Sequence, residues 1–244
     1  MNNSNAEKQA RVDLAAAFRL AVRFDLHEGI CNHFTLRVPG TTDKYFLNPF
    51  GVHWSQVRAS DLLIVDDNGE KVSGEGKIER TAAVLHGRVH SNLPHANCVL
   101  HTHMPHATAL MCIDGGRLEH LTIAGLRFVN RVAYDDEFEG VALDWEEGDR
   151  VASKLGNNTV LMMSNHGVMV IGSTVGNAFD SLYFLERACQ SQILAMSTGR
   201  PLKRIRDEVI SHSGQQFKEL EWLAEAHFLA LKDVLDTEQP NYAD

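Results

Sequence analysis

The sequence predicts a single α/β domain of mixed order, and three observations carry that reading. Segments with helical apolar spacing alternate with short β-rich runs. Two apolar half-strands flank a turn in TVLMMSNHGVMVIG, a hairpin type of signal that places strand next to strand. No repeat, low-complexity tract or linker divides the 244 residues, a length that suits one large domain.

In chain order, Ala6 to Asp25 places apolar residues at Val12, Ala15, Ala16, Leu20 and Val22, the spacing of an amphipathic helix. Gly29 ends it. Phe34 to Val38 alternates as a strand before Pro39-Gly40, and KYFL makes a second strand closed by Pro49 and Gly51. LLIVD reads as a buried strand and DDNGE as a turn. Ile78 to Ser91 reads as a helix that Pro94 stops, Asn97 to His101 as a strand, and Met104 to Met111 as a helix ended by Gly115-Gly116. Arg131 to Tyr134 is a strand candidate and Glu147 to Leu155 a helix. After the hairpin come a long helix over 175–198, a last one over 214–235, and a polar tail. Residues 1–8 and 237–244 are expected to be tails of a domain that spans 1–244.

Composition narrows the function classes. Hydrophobic residues make up 44% and charged residues 23%, with a net charge of -9, which speaks against a nucleic-acid partner. The four cysteines are scattered, with no CxxC pair, as in a reduced protein. The N-terminus lacks the apolar stretch of a secretory signal and no run approaches a membrane span, so a cytoplasmic location without a membrane partner is expected. Neither a strand-GxGxxG-helix fingerprint nor a P-loop is present.

Histidines carry the chemistry. His101 and His103 stand at i and i+2 in VLHTHMPHATAL. On a strand these positions share a face, so both rings can converge on one ion. The alternative is two histidines at a strand end with no ligand. His166, in a sharp turn beside the sheet, is a candidate third ligand or a surface turn histidine. His86 and His90 have the i, i+4 spacing of some zinc sites; the alternatives are a polar helix face or a single histidine packed under the sheet. A metal that polarises a carbonyl needs a proton acceptor nearby. Glu75 and Glu79 stand at the start of the second helix, where their ordinary role is favourable charge at a helix N-terminus.

In combination these segments resemble the class II aldolase/adducin family from about Val12 to Leu235. GICNHFTLR is similar to its Gly-Asn-x-Ser-x-Arg loop. LNPFGVHWSQVRASDLLIVD is similar to its Pro-x-Gly segment and following strand. HGRVHSNLPHANCVLHTHMPHATAL is similar to its helix, turn and HxH strand, and LMMSNHGVMVIGSTVGNAF to the segment with the third histidine. The resemblance implies a three-layer α/β/α domain around a mainly antiparallel sheet. It implies a divalent ion, zinc or manganese, held by His101, His103 and His166. It also implies a homotetramer with sites at subunit interfaces, where Tyr242 of a neighbour is a candidate contributor. The implied chemistry is a carbon–carbon lyase that stabilises an enolate, by aldol cleavage or decarboxylation.

The departures concern the substrate. The family's catalytic glutamate position is Ala82 here, and Glu79 lies three residues earlier on roughly the same helix face. Glu79 is therefore the candidate catalytic carboxylate. Asn32 and Gly51 remain from the phosphate loops, but Phe50 precedes Gly51, and Lys77-Ile78 replace a serine pair. Phe50 and Ile78 offer no side-chain donor to a phosphate, whereas His33, His53, Lys77 or Arg80 suit a carboxylate. A small non-phosphorylated hydroxy-carbonyl or hydroxy-acid substrate is expected, bound by Asn32, Gly51, Lys77, Arg80 and Tyr242. The competing expectations are a non-catalytic adducin-like assembly module, a sugar-phosphate aldolase or epimerase, and a dehydratase.

Overall fold

The computed structural model describes residues 3–244. Helix α1 (Asn3–Arg23) leads into strands β1 (His33–Arg37), β2 (Lys44–Leu47), β3 (Leu63–Asp66) and β4 (Lys71–Ser73). Helix α2 (Arg80–Asn92), strand β5 (Cys98–Thr102), and helices α3 (Pro105–Met111) and α4 (Ile123–Leu126) follow. Then come β6 (Val132–Asp135), α5 (Trp145–Leu155), β7 (Val160–Met163) and β8 (Val168–Gly172). Helices α6 (Val175–Met196), α7 (Asp207–Glu219) and α8 (Trp222–Glu238) complete the fold.

The eight strands form one sheet in the order β4-β3-β2-β1-β5-β8-β7-β6. Every pairing is antiparallel except β6 with β7. Alternation along the strands sorts side chains to two faces. Phe34, Leu36, Cys98 and Leu100 join the larger core with α1, α3, α6 and α8. Val99, Leu161, Met169 and Ile171 pack against α2 and α5. Helices on both faces of a mainly antiparallel sheet make the expected three-layer α/β/α architecture. Among the described residues, no helix is long and apolar enough to cross a membrane.

Three expectations about the chain's segments are corrected. First, the described part of the predicted tails is folded. Helix α1 runs from Asn3 and α8 through Glu238, while Met1 and Asn2 lie outside the described residues. A 3-10 turn over Pro240–Ala243 buries Tyr242 to 1% exposure, and its hydroxyl donates to Asp236 at 2.6 Å. The Ser60 amide donates to the Asp244 carbonyl at 2.8 Å, which fastens the chain end. Second, the helix expected over 214–235 is two helices that part at Leu220 and Glu221. Tertiary packing explains the break: α7 lies on α4 and α8 on α6. Third, β4 is a strand just after the expected DDNGE turn, over residues for which no element was expected. Its three residues are all exposed, so no apolar pattern marks it.

Candidate metal centre

The centre is built where three neighbouring strands end. His101 is the penultimate residue of β5, and His103 follows just past its end. Strand β8 runs beside β5, with His101 opposite Met169 and Thr102 opposite Val168. The β7–β8 hairpin therefore turns next to the two histidines. Asn165 takes φ 57 in that turn, a left-handed conformation that asparagine tolerates better than most residues. His166 then points its ring back at the pair. Ring centroids lie 5.1 Å apart for His101–His103, 4.8 Å for His101–His166 and 4.9 Å for His103–His166. Each residue offers a ring nitrogen, and these atoms all lie within 4.8 Å of one another.

Gly167 makes this approach possible. A Cβ there would lie 2.5 Å from the Thr102 carbonyl oxygen and 2.7 Å from Cδ2 of His103. Only glycine lets the hairpin close onto the end of β5.

The hydrogen bonds prepare the ring nitrogens. Nδ1 of His101 lies 2.9 Å from the Val168 carbonyl oxygen. A carbonyl only accepts, so Nδ1 carries the proton and Nε2 keeps its lone pair. Nδ1 of His103 donates to the Glu28 carboxylate, which leaves Nε2 of His103 bare, and that buried atom has no partner. Burial pushes the His101 imidazole well below its ordinary value, with His166 and His103 adding to the effect. Burial and the neighbouring His103 bring His166 down to about 4. Both shifts keep the His101 and His166 rings neutral, the form that binds a metal. Three convergent imidazoles, two with oriented acceptor nitrogens and one of those orphaned, fit a divalent ion.

Behind the triad lies a layer of histidines. His33 on β1 is paired across the sheet with His101, and their rings stack at 6.1 Å. His86 and His90 on α2 are fully buried. They lie outside the three-histidine cluster, and both bond Thr35 Oγ1, at 2.8 and 2.9 Å. The Ala96 carbonyl accepts from His90 Nδ1 at 2.8 Å. His90 Nε2 is then an acceptor for the Thr35 hydroxyl proton, and Thr35 Oγ1 accepts from His86 Nδ1. The chain of bonds leaves Nε2 of His86 as a bare acceptor, and it has no partner. Of the alternatives for this pair, packing under the sheet is what the structure shows, and it holds for both rings rather than one.

The other predicted residues fall in different places. Glu79 is the N-cap of α2 and accepts from the Ala82 amide at 2.8 Å. Its carboxylate also accepts from Thr81 and lies 3.2 Å from His33 Nε2. Burial alone would raise the Glu79 carboxyl, but the His33, Thr81 and Ala82 hydrogen bonds outweigh it and hold it at about 2. Glu79 is thus one imidazole away from the triad. Asn32 is buried, with Oδ1 unpartnered. Gly51 sits in an exposed turn at φ +89, and Lys77 is exposed while its carbonyl accepts from the Phe50 amide at 2.8 Å. Arg80 lies over the Trp145 ring at 5.0 Å and donates to the Leu143 carbonyl, so it faces α5. Tyr242 is packed within its own chain, bonded to Asp236, rather than carried on a free arm. Sequence reasoning missed Glu28, which has no motif around it, and gave His33 only a minor role. The register of β1 against β5 is what places His33 at the site.

The residues matched by the family model described as the Class II Aldolase and Adducin N-terminal domain run from 12 to 193. The chain belongs to the class II aldolase and adducin family. A Caulobacter vibrioides relative with a provisional class 2 aldolase name is 34% identical, over 99% of this chain and 94% of its own. The crystal structure of an aldolase II superfamily protein from Pseudomonas syringae superposes with a TM-score of 0.92. It shares 34% identity, over 98% of this chain and 96% of that one. Decarboxylase NovR from Streptomyces niveus is 28% identical over 78% of this chain and 70% of its own. Class II aldolases as a family generally depend on a divalent metal, and the His101, His103 and His166 cluster is of a kind that holds one.

Proposed function

We propose that this member of the family is a divalent-metal-dependent carbon–carbon lyase. Its substrate in this reading is a small, non-phosphorylated hydroxy-carbonyl compound or hydroxy acid. The observation that carries the reading is the convergence of His101, His103 and His166, with the tautomers of two of them set by Val168 and Glu28. These three histidines would hold the ion, with zinc as the first assignment and manganese as the alternative. When bound, the ion supplies Lewis acidity toward a substrate oxygen as negative charge develops during carbon–carbon cleavage.

The chain's own residues do the rest. Glu28 and the Val168 carbonyl keep the ligand rings turned inward. We assign proton movement to the Glu79–His33 pair. An ionised Glu79 holds the His33 ring beside the centre and partners its Nε2. Asn32 presents an unpaired amide oxygen from the residue before His33. The absence of side-chain donors at Phe50 and Ile78 supports a substrate without phosphate. The decarboxylase name of one relative favours release of carbon dioxide as one form of the reaction.

We also assign a homo-oligomer, with a homotetramer as the expected form. Phe138, Val141 and Leu143 are 53%, 74% and 59% exposed in one loop, and the Phe138 ring lies 6.2 Å from His166. An apolar loop at the mouth of a polar site suits cover by a second copy.

A second reading, an adducin-like module without catalysis, draws on two observations. The chain is 33% identical to rat alpha-adducin over 80% of its length, which is 27% of that protein. Glu79, in addition, is engaged as a helix cap. Two measurements separate the readings. Purified protein should carry about one divalent ion per chain, lost in His103→Ala. A panel of hydroxy acids, hydroxy-carbonyl compounds and sugar phosphates should show metal-dependent cleavage only of non-phosphorylated members. Metal-free protein, or cleavage of sugar phosphates alone, refutes the lyase reading as stated. Full turnover by Glu79→Gln with metal retained removes Glu79 from the proton path.

A further inference from the structure

A second polar cavity lies at the opposite end of β7 from the histidines. Arg131 and Thr159 precede β6 and β7, whereas His166 follows β7. The cavity has a volume of about 150 Å³ and is walled by the segment after α4, by α6 and α7, and by the α7–α8 corner, where Leu220 and Glu221 line it. That corner falls outside the 12–193 span of the family match.

Charge inside the cavity is unevenly paired. Arg127 donates to Asp180 at 2.8 Å and stacks on Phe184 and Phe217. Asp180 takes a second bond from His227, so its two oxygens are occupied. Arg131 is different. Its guanidinium donates to the Thr159 hydroxyl at 3.0 Å, the Arg127 carbonyl at 3.3 Å and the Ser181 hydroxyl at 3.2 Å. All three acceptors are neutral, and no carboxylate lies within 4 Å of it among the described residues. A guanidinium has five N–H donors, so two remain. Lys218 also lines the cavity and has no ion pair among the described residues. Glu221 at the corner is the remaining negative group.

Arg131 is a partly buried cation whose hydrogen bonds all go to neutral groups, and Glu221 and Asp180 act on it only from beyond ion-pair distance. It is well placed to receive an anion by a two-pronged hydrogen bond. We propose that this cavity is a binding site for a small oxyanion, a phosphate or a short carboxylate, held by Arg131 and Lys218. The site joins the family domain to the α7–α8 segment, so its ligand would tighten the docking of that segment. The proposal does not depend on the lyase reading.

The test is a calorimetric titration of the full chain with inorganic phosphate and, separately, with malonate, at low ionic strength. At least one should bind one per chain with a Kd below 1 mM, on the order of −4.1 kcal/mol or stronger. Arg131→Gln should weaken that binding at least tenfold. If that variant does not fold, the exposed Lys218→Ala carries the test, with an expected loss of about threefold to tenfold. His103→Ala should leave the binding unchanged, which separates this cavity from the metal centre. Phosphate alone, or malonate alone, identifies which oxyanion source fits. No binding of either probe at 10 mM overturns the proposal. So does binding that survives both cavity variants, or that only His103→Ala abolishes.

Discussion

Replacing Gly167 with alanine puts a methyl carbon 2.5 Å from the Thr102 carbonyl oxygen and 2.7 Å from His103 Cδ2. Ordinary contact for such pairs is about 3.4 Å or more, so both neighbours stand roughly 0.7–0.9 Å too close. The Thr102 carbonyl belongs to a strand paired on both sides, and it yields little. The hairpin and the His103 ring must therefore take up most of the shift. Overpacking of this kind costs about 1–3 kcal/mol, or about 2–4 °C in melting temperature per kcal/mol for a chain of this size. The consequence for the metal is larger. Ligand distances are held to about ±0.2 Å in a working site, and a ring displaced by several tenths of an ångström leaves that range. We expect Gly167→Ala to fold, to melt a few degrees lower, and to bind zinc at least tenfold more weakly in a chelator competition. Zinc affinity within twofold of wild type, with melting within 1 °C, would refute the claim that the hairpin's approach positions His103.

Three further outcomes follow from the same geometry. Glu28→Gln removes the carboxylate that orients His103, and zinc affinity should fall about 10–100-fold with little change in stability, read by the same competition. Thr35→Val strips His86 and His90 of their shared partner and should cost about 2–4 kcal/mol in urea unfolding; a loss under 0.5 kcal/mol would mean the relay is not formed. Burial, helped by the Arg37 charge, pushes His90 down to about 3, and burial lowers His86 as well. The unfolded chain thus binds protons below pH 6.5 that the folded chain refuses, so stability is full above 6.5 and falls as pH drops toward 3. The slope reaches about 1.4 kcal/mol per pH unit for each such group. Glu79, depressed to about 2, adds its own loss below about 4.5. A urea midpoint that stays flat from pH 7.5 to 5 would contradict the neutral buried pair.

Most elements were legible because apolar periodicity and turn residues mark them directly, whereas the three-layer arrangement was implied by the family resemblance. The hairpin around His166 is an example, since Asn165 and Gly167 announce the turn and its flanking runs are apolar. The end of the chain was not legible. QPNYAD is polar by composition, yet one tyrosine and a chain-end hydrogen bond dock it, and such tertiary contacts leave no local pattern. The α7–α8 corner carries no glycine or proline, so only the different packing partners of the two helices reveal it. At the centre, HxH with a distant histidine pointed to a metal. Glu28 was invisible because its role depends on where the loop after α1 returns to β5. Glu79 illustrates the converse, for its ordinary helix-cap role and its place beside His33 coexist in one carboxylate.

The orphaned polar atoms argue that the site is built for a ligand rather than for stability. The bare Nε2 of His103, Nδ1 of His33, Nε2 of His86, the Thr102 hydroxyl and the Asn32 amide oxygen are all buried without hydrogen-bond partners. Each such group costs about 1–3 kcal/mol in a folded protein. Neighbouring positions on the same face, such as Val99 and Met169, are filled with apolar residues that pack without that cost. A fold selected for its own stability would use such residues throughout, so the penalty stands against something that binds there. Binding linkage then sets the size of the return. A metal present at about a thousand times its Kd stabilises the native state by about 4 kcal/mol, comparable to two or three of the orphaned groups. The metal-loaded protein should therefore melt well above the chelated one. That difference should vanish in His103→Ala, since the ion's contribution passes through that ring.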